Sequence, residues 1–160
     1  MEPNAFAETL RRFPLSVNVV TVGRGGAENA LTVSWATPAS FEPPMFLVAL
    51  DRLHYSIDFV KSTRNFAVNV LAEGQERLAG QLARQAMQGE KKLAGVATRE
   101  GVTGAAILTE AVAYFDCELA QFVEAGDHYL LIGKVVDCGG LRDAKPLVGG
   151  ASLRYQKSQP

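Results

Sequence analysis

The chain is built mainly from short segments rich in β-branched and apolar residues, separated by tight turns. Residues 16–22 and 30–36 flank the glycine-rich turn 23–26, and the longer segments 111–124 and 127–138 flank a second turn containing Gly126. Strands joined so tightly pair antiparallel, because a parallel pair needs a crossover of a dozen or more residues. The sequence therefore predicts an antiparallel sheet.

Further segments complete the predicted architecture. Residues 45–50 are apolar on both faces and predict an inner strand, residues 65–71 a strand, and residues 151–155 a short final strand. Three short helices are predicted at residues 6–13, 54–62 and 74–88, while residues 89–109 are glycine-rich and predicted irregular. A mainly β single domain over residues 1–160 is expected, in the form of a small closed or half-open antiparallel barrel with helices plugging or flanking it.

Charge and cysteine content narrow the class of protein. Sixteen Lys and Arg residues against seventeen Asp and Glu residues argue against a nucleic-acid-binding or membrane-coating protein. No apolar run approaches the roughly 20 residues of a membrane helix, and residues 1–13 lack the pattern of a signal peptide, so a cytoplasmic protein is expected. Cys117 and Cys138 form no metal-binding spacing, so no metal site is predicted and both are expected to be buried free thiols.

One segment carries several small hydroxyl groups. The GxSxG, HExxH, P-loop and GxGxxG motifs are absent. Residues 32–40 instead place Thr32, Ser34, Thr37 and Ser40 at a strand end and in the loop predicted to follow it. Such hydroxyls can hydrogen-bond a flat heterocycle, and Trp35 can pack against its ring. Taken alone, Ser and Thr residues in a strand and turn are more often structural than ligand-binding.

Two further segments could contact a ligand. Residues 50–56 run from a strand end into a helix start, where helix N–H groups, the Ser56 hydroxyl and the Arg52 guanidinium could bind a phosphate. Alternatively, Asp51 or Ser56 only caps the helix. His128 follows a hairpin turn, and it gains a function only if that turn overhangs a ligand.

Taken together and in order, these segments resemble the flavin reductase-like family with the FMN-binding split-barrel fold. The resemblance rests on residues 13–21, 32–34 with 43–44, 50–52, 66–71, 126–128 and 133–137, and it spans nearly the whole chain. It implies an antiparallel split β-barrel of Greek-key type and a homodimer. It also implies that the protein binds FMN non-covalently, with NADH or NADPH as reductant.

The resemblance also assigns roles to residues by position. The expected isoalloxazine contacts are Thr32, Val33, Ser34, Trp35, Ala36, Thr37 and Ser40. The expected ribityl and phosphate contacts are Leu50, Asp51, Arg52, His54, Tyr55 and Ser56, and His128 is expected near the nicotinamide side of the flavin. Trp35, Ala36 and residues 53–56 depart from the commoner family pattern, and they suggest flavoredoxins and ferric reductases as much as the reductase partners of monooxygenases.

Three functional hypotheses follow. The first is an NAD(P)H-dependent flavin or ferric reductase that transfers hydride to flavin and passes electrons to an acceptor protein or a ferric complex. The second is an FMN-carrying electron-transfer protein without its own NAD(P)H site. The third is a split barrel that binds another planar ligand, such as haem with His54 or His128 as axial ligand, or none.

Overall fold

A computed structural model of the chain describes Glu2, residues 5–85 and residues 90–149. The helices of this part are α1 Ala5–Leu10, α2 Ser56–Thr63 and α3 Glu76–Ala83. The strands are β1 Leu15–Ser16, β2 Asn18–Arg24, β3 Ala27–Val33, β4 Ala36–Phe41, β5 Pro44–Asp51, β6 Asn65–Val70, β7 Thr98–Glu100, β8 Ala106–Leu108, β9 Ala113–Ala125, β10 His128–Gly140 and β11 Val148–Gly149.

Seven strands form one antiparallel sheet in the order β3-β2-β6-β9-β10-β5-β4. The two edge strands, β3 and β4, are consecutive in the chain and are joined only by Ser34 and Trp35. Because so short a connection spans at most about 11 Å, the sheet must curl until its two edges come close together. In the described part of the chain β3 and β4 do not pair, so the barrel is open at this seam. The predicted antiparallel split barrel is confirmed.

Two apolar clusters lie on opposite faces of this curled sheet. Val20, Val48, Phe66 and Leu131 belong to the barrel interior and are fully buried. A second cluster on the outer face packs β2 and β3 against α3, and it includes Val19, Leu71, Leu82 and Leu108. Strand β2 contributes to both clusters, which explains why six of its seven residues are buried.

Several local predictions are wrong. The strand predicted at residues 30–36 ends at Val33, and the segment expected to be a loop after Ala36 belongs to strand β4. This strand pairs with β5 and tolerates Pro38 because it is an edge strand. Residues 98–108, expected to be irregular, form β7 and β8. Long-range hydrogen bonds fix this hairpin: Thr21 donates to the Ala106 carbonyl at 2.6 Å, and Leu108 N–H donates to Asn69 at 2.8 Å.

Other predictions are confirmed in part. The predicted helix 74–88 is shorter in the structure, since α3 ends at Ala83, and residues 86–89 lie outside the described residues. The strand expected at residues 151–155 also lies outside them. Cys117 is buried as expected, but Cys138 is exposed, which corrects the prediction that both thiols are buried. None of the helices in the described ranges has the length and apolar character needed to cross a bilayer.

Candidate functional site

The three candidate segments of the sequence meet at one place. His128 opens β10 and pairs with Asp51 at the end of β5, so the hairpin turn lies beside the strand end. Trp35, at the seam between β3 and β4, is tied to β5 because its carbonyl accepts a hydrogen bond from Ala49 N–H at 2.9 Å. The Trp35 and His128 rings stack with their centroids 4.7 Å apart and their planes 29° apart.

His128 is held on a second side by its chain neighbour. Its Nδ1 atom lies 2.7 Å from Oδ1 of Asp127, and the His128 side chain is 22% exposed. Among the described residues, Nε2 of His128 has no hydrogen-bond partner. The imidazole therefore offers one ring nitrogen to a ligand.

An apolar cavity of about 580 Å³ opens beside this stack. This volume lies within the range of roughly 300–1,000 Å³ that is usual for small-molecule sites. The walls come from α1 and the turn after it, from the β3–β4 seam, and from the outward face of β5. The lining residues are Phe6, Leu10, Phe13, Pro14, Leu15, Ser16, Trp35, Ala36, Thr37, Leu47 and Ala49.

The wall formed by α1 was not anticipated as part of a site. The helical spacing of Phe6, Leu10 and Phe13 indicated an amphipathic helix, and a helix of this kind normally buries its apolar side. In the structure no residue of α1 is buried, and Phe6 and Phe13 are 55% and 60% exposed. The exposure of these side chains beside a cavity identifies α1 as part of the candidate site, and the sequence alone could not show it.

The predicted ring-binding segment divides into inward and outward residues. The Thr32 hydroxyl donates to the Ala79 carbonyl of α3 at 2.6 Å, and Val33 is buried in the barrel interior, so both side chains are used within the fold. Ser34 is half-buried, and its hydroxyl has no hydrogen-bond partner in the described part of the chain. Trp35, Ala36 and Thr37 line the cavity.

These outward residues suit a flat, partly polar ring system such as the flavin that the resemblance implies. The cavity supplies apolar walls, and Thr37 adds a hydroxyl to its lining. Among the described residues, strand β4 pairs only with β5, so the backbone N–H and C=O groups on its other side have no strand partner there and could face a ligand. Ser40, opposite Met45 further along β4, is half-buried but does not line this cavity.

The first residues of the segment expected to bind phosphate make contacts within the protein. Leu50 points into the barrel and is 2% exposed, and Oδ1 of Asp51 accepts the Leu53 N–H at 2.8 Å. The Arg52 guanidinium lies over the Tyr129 ring at 5.5 Å and donates to the Gly126 carbonyl at 3.3 Å. A guanidinium has five N–H donors, so Arg52 has donors left for an anion.

The expectation that free N–H groups at the start of α2 would bind phosphate is wrong. Ser56 N–H donates to Nδ1 of His54 at 3.2 Å, and the next two N–H groups, of Ile57 and Asp58, donate to the carbonyls of His54 and Tyr55. The turn formed by His54 and Tyr55 thus satisfies the donors that usually make a helix start an anion site.

Asn29 of β3, which the sequence did not single out, organises the same segment from inside. Its Nδ2 group donates to the Ser56 hydroxyl, and its Oδ1 atom accepts from the Tyr55 hydroxyl. Asn29 and Ser56 are both buried, so this network fixes the position of α2 against the barrel. The sequence did not indicate this role, because a single Asn within a predicted turn or strand does not reveal its distant partners.

Two titratable groups on this side of the fold are partly or fully buried: His54 is half-buried and Lys92 is buried. Burial lowers the pKa of His54, the nearby Lys92 charge lowers it further, and Asp51 opposes the shift. Lys92 is 4% exposed and donates to the carbonyls of Leu82 and Arg84, both at 2.7 Å. Burial, together with the Arg84 charge, lowers the pKa of Lys92 to about 8.

Comparison with known families decides the identity of the fold and of its site. The family model described as "Flavin reductase like domain" matches residues 10–156. The chain belongs to the flavin reductase-like family. The match includes the β3–β4 seam, the end of β5 and the His128 turn, which are the three segments that meet beside the cavity.

Two curated members of the family are similar in sequence. A "Probable flavin reductase" from Rhizobium meliloti is 33% identical over 84% of this chain, and a "Flavin reductase" from Pseudomonas putida is 33% identical over 84% of it. The chain covers 42% of the first relative and 78% of the second. This flavin reductase-like chain therefore spans less than half of the length of the Rhizobium relative.

Solved structures of the family have the same fold. The NADH:FAD oxidoreductase SgcE6 from Streptomyces globisporus has a TM-score of 0.86 and 27% sequence identity, and the match covers 100% of this chain and 97% of that one. A second structure of SgcE6, in complex with NAD and FAD fragments, has a TM-score of 0.83 and 27% identity, covering 94% of this chain and 91% of that one.

Proposed function

We propose that the chain is an NAD(P)H-dependent flavin reductase that binds FMN in the cavity beside the Trp35–His128 stack. The observation that carries the proposal is that the β3–β4 seam, the end of β5 and the His128 turn meet at the Trp35–His128 stack, beside an apolar cavity that Trp35 lines. When bound, the flavin supplies the chemistry, because it accepts hydride from a nicotinamide and can release electrons singly or in pairs. The fact that a relative of the same fold holds NAD and FAD fragments supports this proposal.

The chain's own residues orient the flavin ring. The apolar walls of Leu47 and Ala49 and the Trp35 ring would exclude water from one side of a bound flavin. The Thr37 hydroxyl in the cavity wall and the Ser34 hydroxyl at the neighbouring seam would hydrogen-bond polar atoms at the ring edge. No general base is needed, since hydride passes between two cofactors. The protein therefore contributes alignment of the two rings, which is where its catalytic advantage lies.

The phosphate of FMN is assigned to Arg52. Its guanidinium stands beside the His128 turn and keeps N–H donors beyond the one that contacts Gly126. With the N–H groups of Ser56, Ile57 and Asp58 already satisfied, the affinity for phosphate rests on this side chain more than on the dipole of α2. His128 is assigned to the nicotinamide nucleotide, since its ring stacks on Trp35, which lines the cavity, and keeps one nitrogen for a ligand.

A homodimer is part of the proposal. The side chains of Phe6 and Phe13 remain more than half exposed on the cavity wall, and apolar surface of this kind is typically covered by a partner. Sedimentation equilibrium should give about twice the chain mass, and Phe13→Ser should shift the equilibrium toward the monomer. A wild-type chain that sediments as a monomer at micromolar concentration would contradict a dimer.

The acceptor and the compartment are proposed on chemical grounds. The proposed electron acceptor is a protein or a ferric complex, because a bound flavin could release electrons singly or in pairs. The proposed compartment is the reducing cytoplasm, which suits an exposed thiol at Cys138. Residues 1–160 are proposed to form one flavin-binding domain, since the family match spans residues 10–156.

Absorbance spectra and steady-state assays test the proposal. Purified protein mixed with FMN and passed through a desalting column should retain the visible flavin bands, and adding NADH or NADPH should cause steady nucleotide oxidation. Retained flavin without nucleotide oxidation would favour the electron-transfer alternative. A haem spectrum, or no retained chromophore and no oxidation, would overturn the assignment of the cavity to flavin.

A further inference from the structure

The environment of His128 determines which of its ring nitrogens carries the proton. Nδ1 lies 2.7 Å from Oδ1 of Asp127, whose side chain is 56% exposed. An exposed carboxylate is ionised at neutral pH and can only accept a hydrogen bond, so Nδ1 of His128 must be the donor. In the neutral imidazole this leaves Nε2 with a lone pair that accepts a hydrogen bond.

The position of Asp127 is set by the fold. Its backbone carbonyl accepts Arg52 N–H at 3.0 Å, which ties the hairpin turn to the end of β5. The Trp35 ring, stacked on one face of the imidazole, further restricts the orientation of the His128 ring. The imidazole is thereby constrained at Nδ1 and on one face, while Nε2 keeps no partner within the described residues.

We propose that Asp127 is a positioning residue that selects the Nδ1-protonated tautomer of His128, so that Nε2 accepts a hydrogen bond from the carboxamide N–H of the nicotinamide. This inference rests on the proposed function. The phosphates of the nucleotide and the carboxamide oxygen only accept hydrogen bonds, so neutral His128 cannot donate to them through Nε2. The carboxamide amine is the donor of the nicotinamide head itself.

The other histidine provides an internal reference. Nδ1 of His54 accepts the Ser56 N–H at 3.2 Å, so neutral His54 carries its proton on Nε2. The chain has two histidines, and the structure therefore assigns them opposite tautomers. A two-bond ¹⁵N–¹H correlation spectrum of histidine-labelled protein at about pH 8.5, where ordinary histidines are neutral, separates the two forms without any cofactor or nucleotide.

The spectrum should show one histidine of each tautomer, with the Nδ1–H signals absent from His128→Gln. Asp127→Ala should populate the Nε2–H form of His128. The control Glu124→Ala removes an exposed carboxylate from the same hairpin and should leave the spectrum unchanged. Two histidines that are both protonated on Nε2 in the wild-type protein would overturn the proposal. This result is independent of whether the protein reduces flavin.

Nucleotide binding tests the second half of the inference. NAD⁺ and its 3-acetylpyridine analogue, which keeps the carbonyl but lacks the N–H donor, are titrated into the flavin-loaded protein. The wild-type protein should bind NAD⁺ about three- to tenfold more tightly than the analogue, as expected for one hydrogen bond. The ratio should fall toward one in His128→Ala and Asp127→Ala and be partly retained in His128→Gln, whose amide oxygen accepts.

A ratio that is the same in the wild-type protein and in His128→Ala would overturn the carboxamide contact. If neither nucleotide binds the wild-type protein, the carboxamide contact and the proposed NAD(P)H site both fail, while the tautomer spectrum still decides the role of Asp127.

Discussion

The indole of Trp35 stacks on the imidazole of His128, with ring centroids 4.7 Å apart, although the two residues are far apart in the sequence. The short β3–β4 connection carries Trp35 across the open seam, and the pairing of β5 with β10 brings His128 to the same point. The stack therefore depends on the pairing of β5 with both β4 and β10.

Trp35 should report flavin binding directly, because it is the single tryptophan of the chain and lines the cavity. We expect FMN to quench its fluorescence and to bind more tightly than riboflavin. Charge-assisted hydrogen bonds to the phosphate contribute about 1.5–3 kcal/mol each before entropic losses. Arg52→Ala should remove most of the difference between the two ligands, and Arg142→Ala, an exposed arginine bound to Glu110, serves as the matched control. Equal affinities of the wild-type protein for FMN and riboflavin would contradict the phosphate assignment.

Much of this fold follows from local sequence patterns. The β9–β10 hairpin around Gly126 and helix α2 were predicted close to their observed bounds, because alternation, turn chemistry and helical spacing are local properties. Strand β4 was missed because Pro38 and the small hydroxyl residues near it are typical of a loop. Its strand conformation comes from pairing with β5, which is a tertiary contact.

The proximity of the candidate segments was predictable, but their detailed contacts were not. The resemblance to the flavin reductase-like family implied a shared ligand site for the segments containing Trp35, Arg52 and His128, and the structure brings these segments together. The occupied N–H groups at the start of α2 depend on the imidazole of His54 and on the turn before the helix, which no spacing rule encodes. The wall formed by α1 likewise depends on where a helix packs rather than on its pattern.

Removing the His128 side chain should impair reduction by the nucleotide more than flavin binding. We expect His128→Ala to bind FMN with nearly unchanged affinity and to lose about tenfold in kcat/KM for NAD(P)H, which corresponds to a lost contact of about 1.4 kcal/mol. Stopped-flow flavin reduction measures this, with Glu124→Ala as the control from the same hairpin. Unchanged reduction rates would leave His128 without a role in nucleotide recognition.

The two cysteines should differ sharply in reactivity. Burial raises the pKa of Cys117 to about 12, and the neighbouring Asp116 charge adds to the shift, whereas Cys138 is exposed. Because the thiolate is the reactive form, a thiol reagent should modify one cysteine per native chain and both in urea. Cys138→Ser should abolish the native reaction. Rapid modification of two thiols in the folded protein would show that Cys117 is not sealed in the barrel.

Lys92 should make stability depend on alkaline pH. Its pKa is lowered from 10.5 to about 8 in the folded chain, so between these values the unfolded chain holds a proton that the folded chain has lost. The free energy of unfolding therefore gains a favourable contribution as pH rises from about 8 toward 10.5, and below pH 8 burying the charged amine remains a cost.

Urea unfolding of the wild-type protein and of Lys92→Met at several pH values measures this contribution. The stability of the wild-type protein relative to the variant should increase across that interval. A difference between the two proteins that does not change with pH would mean that Lys92 keeps an ordinary pKa in the folded state.

Anaerobic mixing of the FMN-loaded protein with NADH or NADPH tests the central claim most directly. If the cavity beside Trp35 and His128 aligns a nicotinamide with the flavin, the visible absorbance of oxidised FMN should disappear rapidly and in proportion to the nucleotide added. Bound FMN that stays oxidised with both nucleotides, yet is reduced by dithionite, would contradict the reductase assignment and favour an electron-transfer protein without its own nucleotide site.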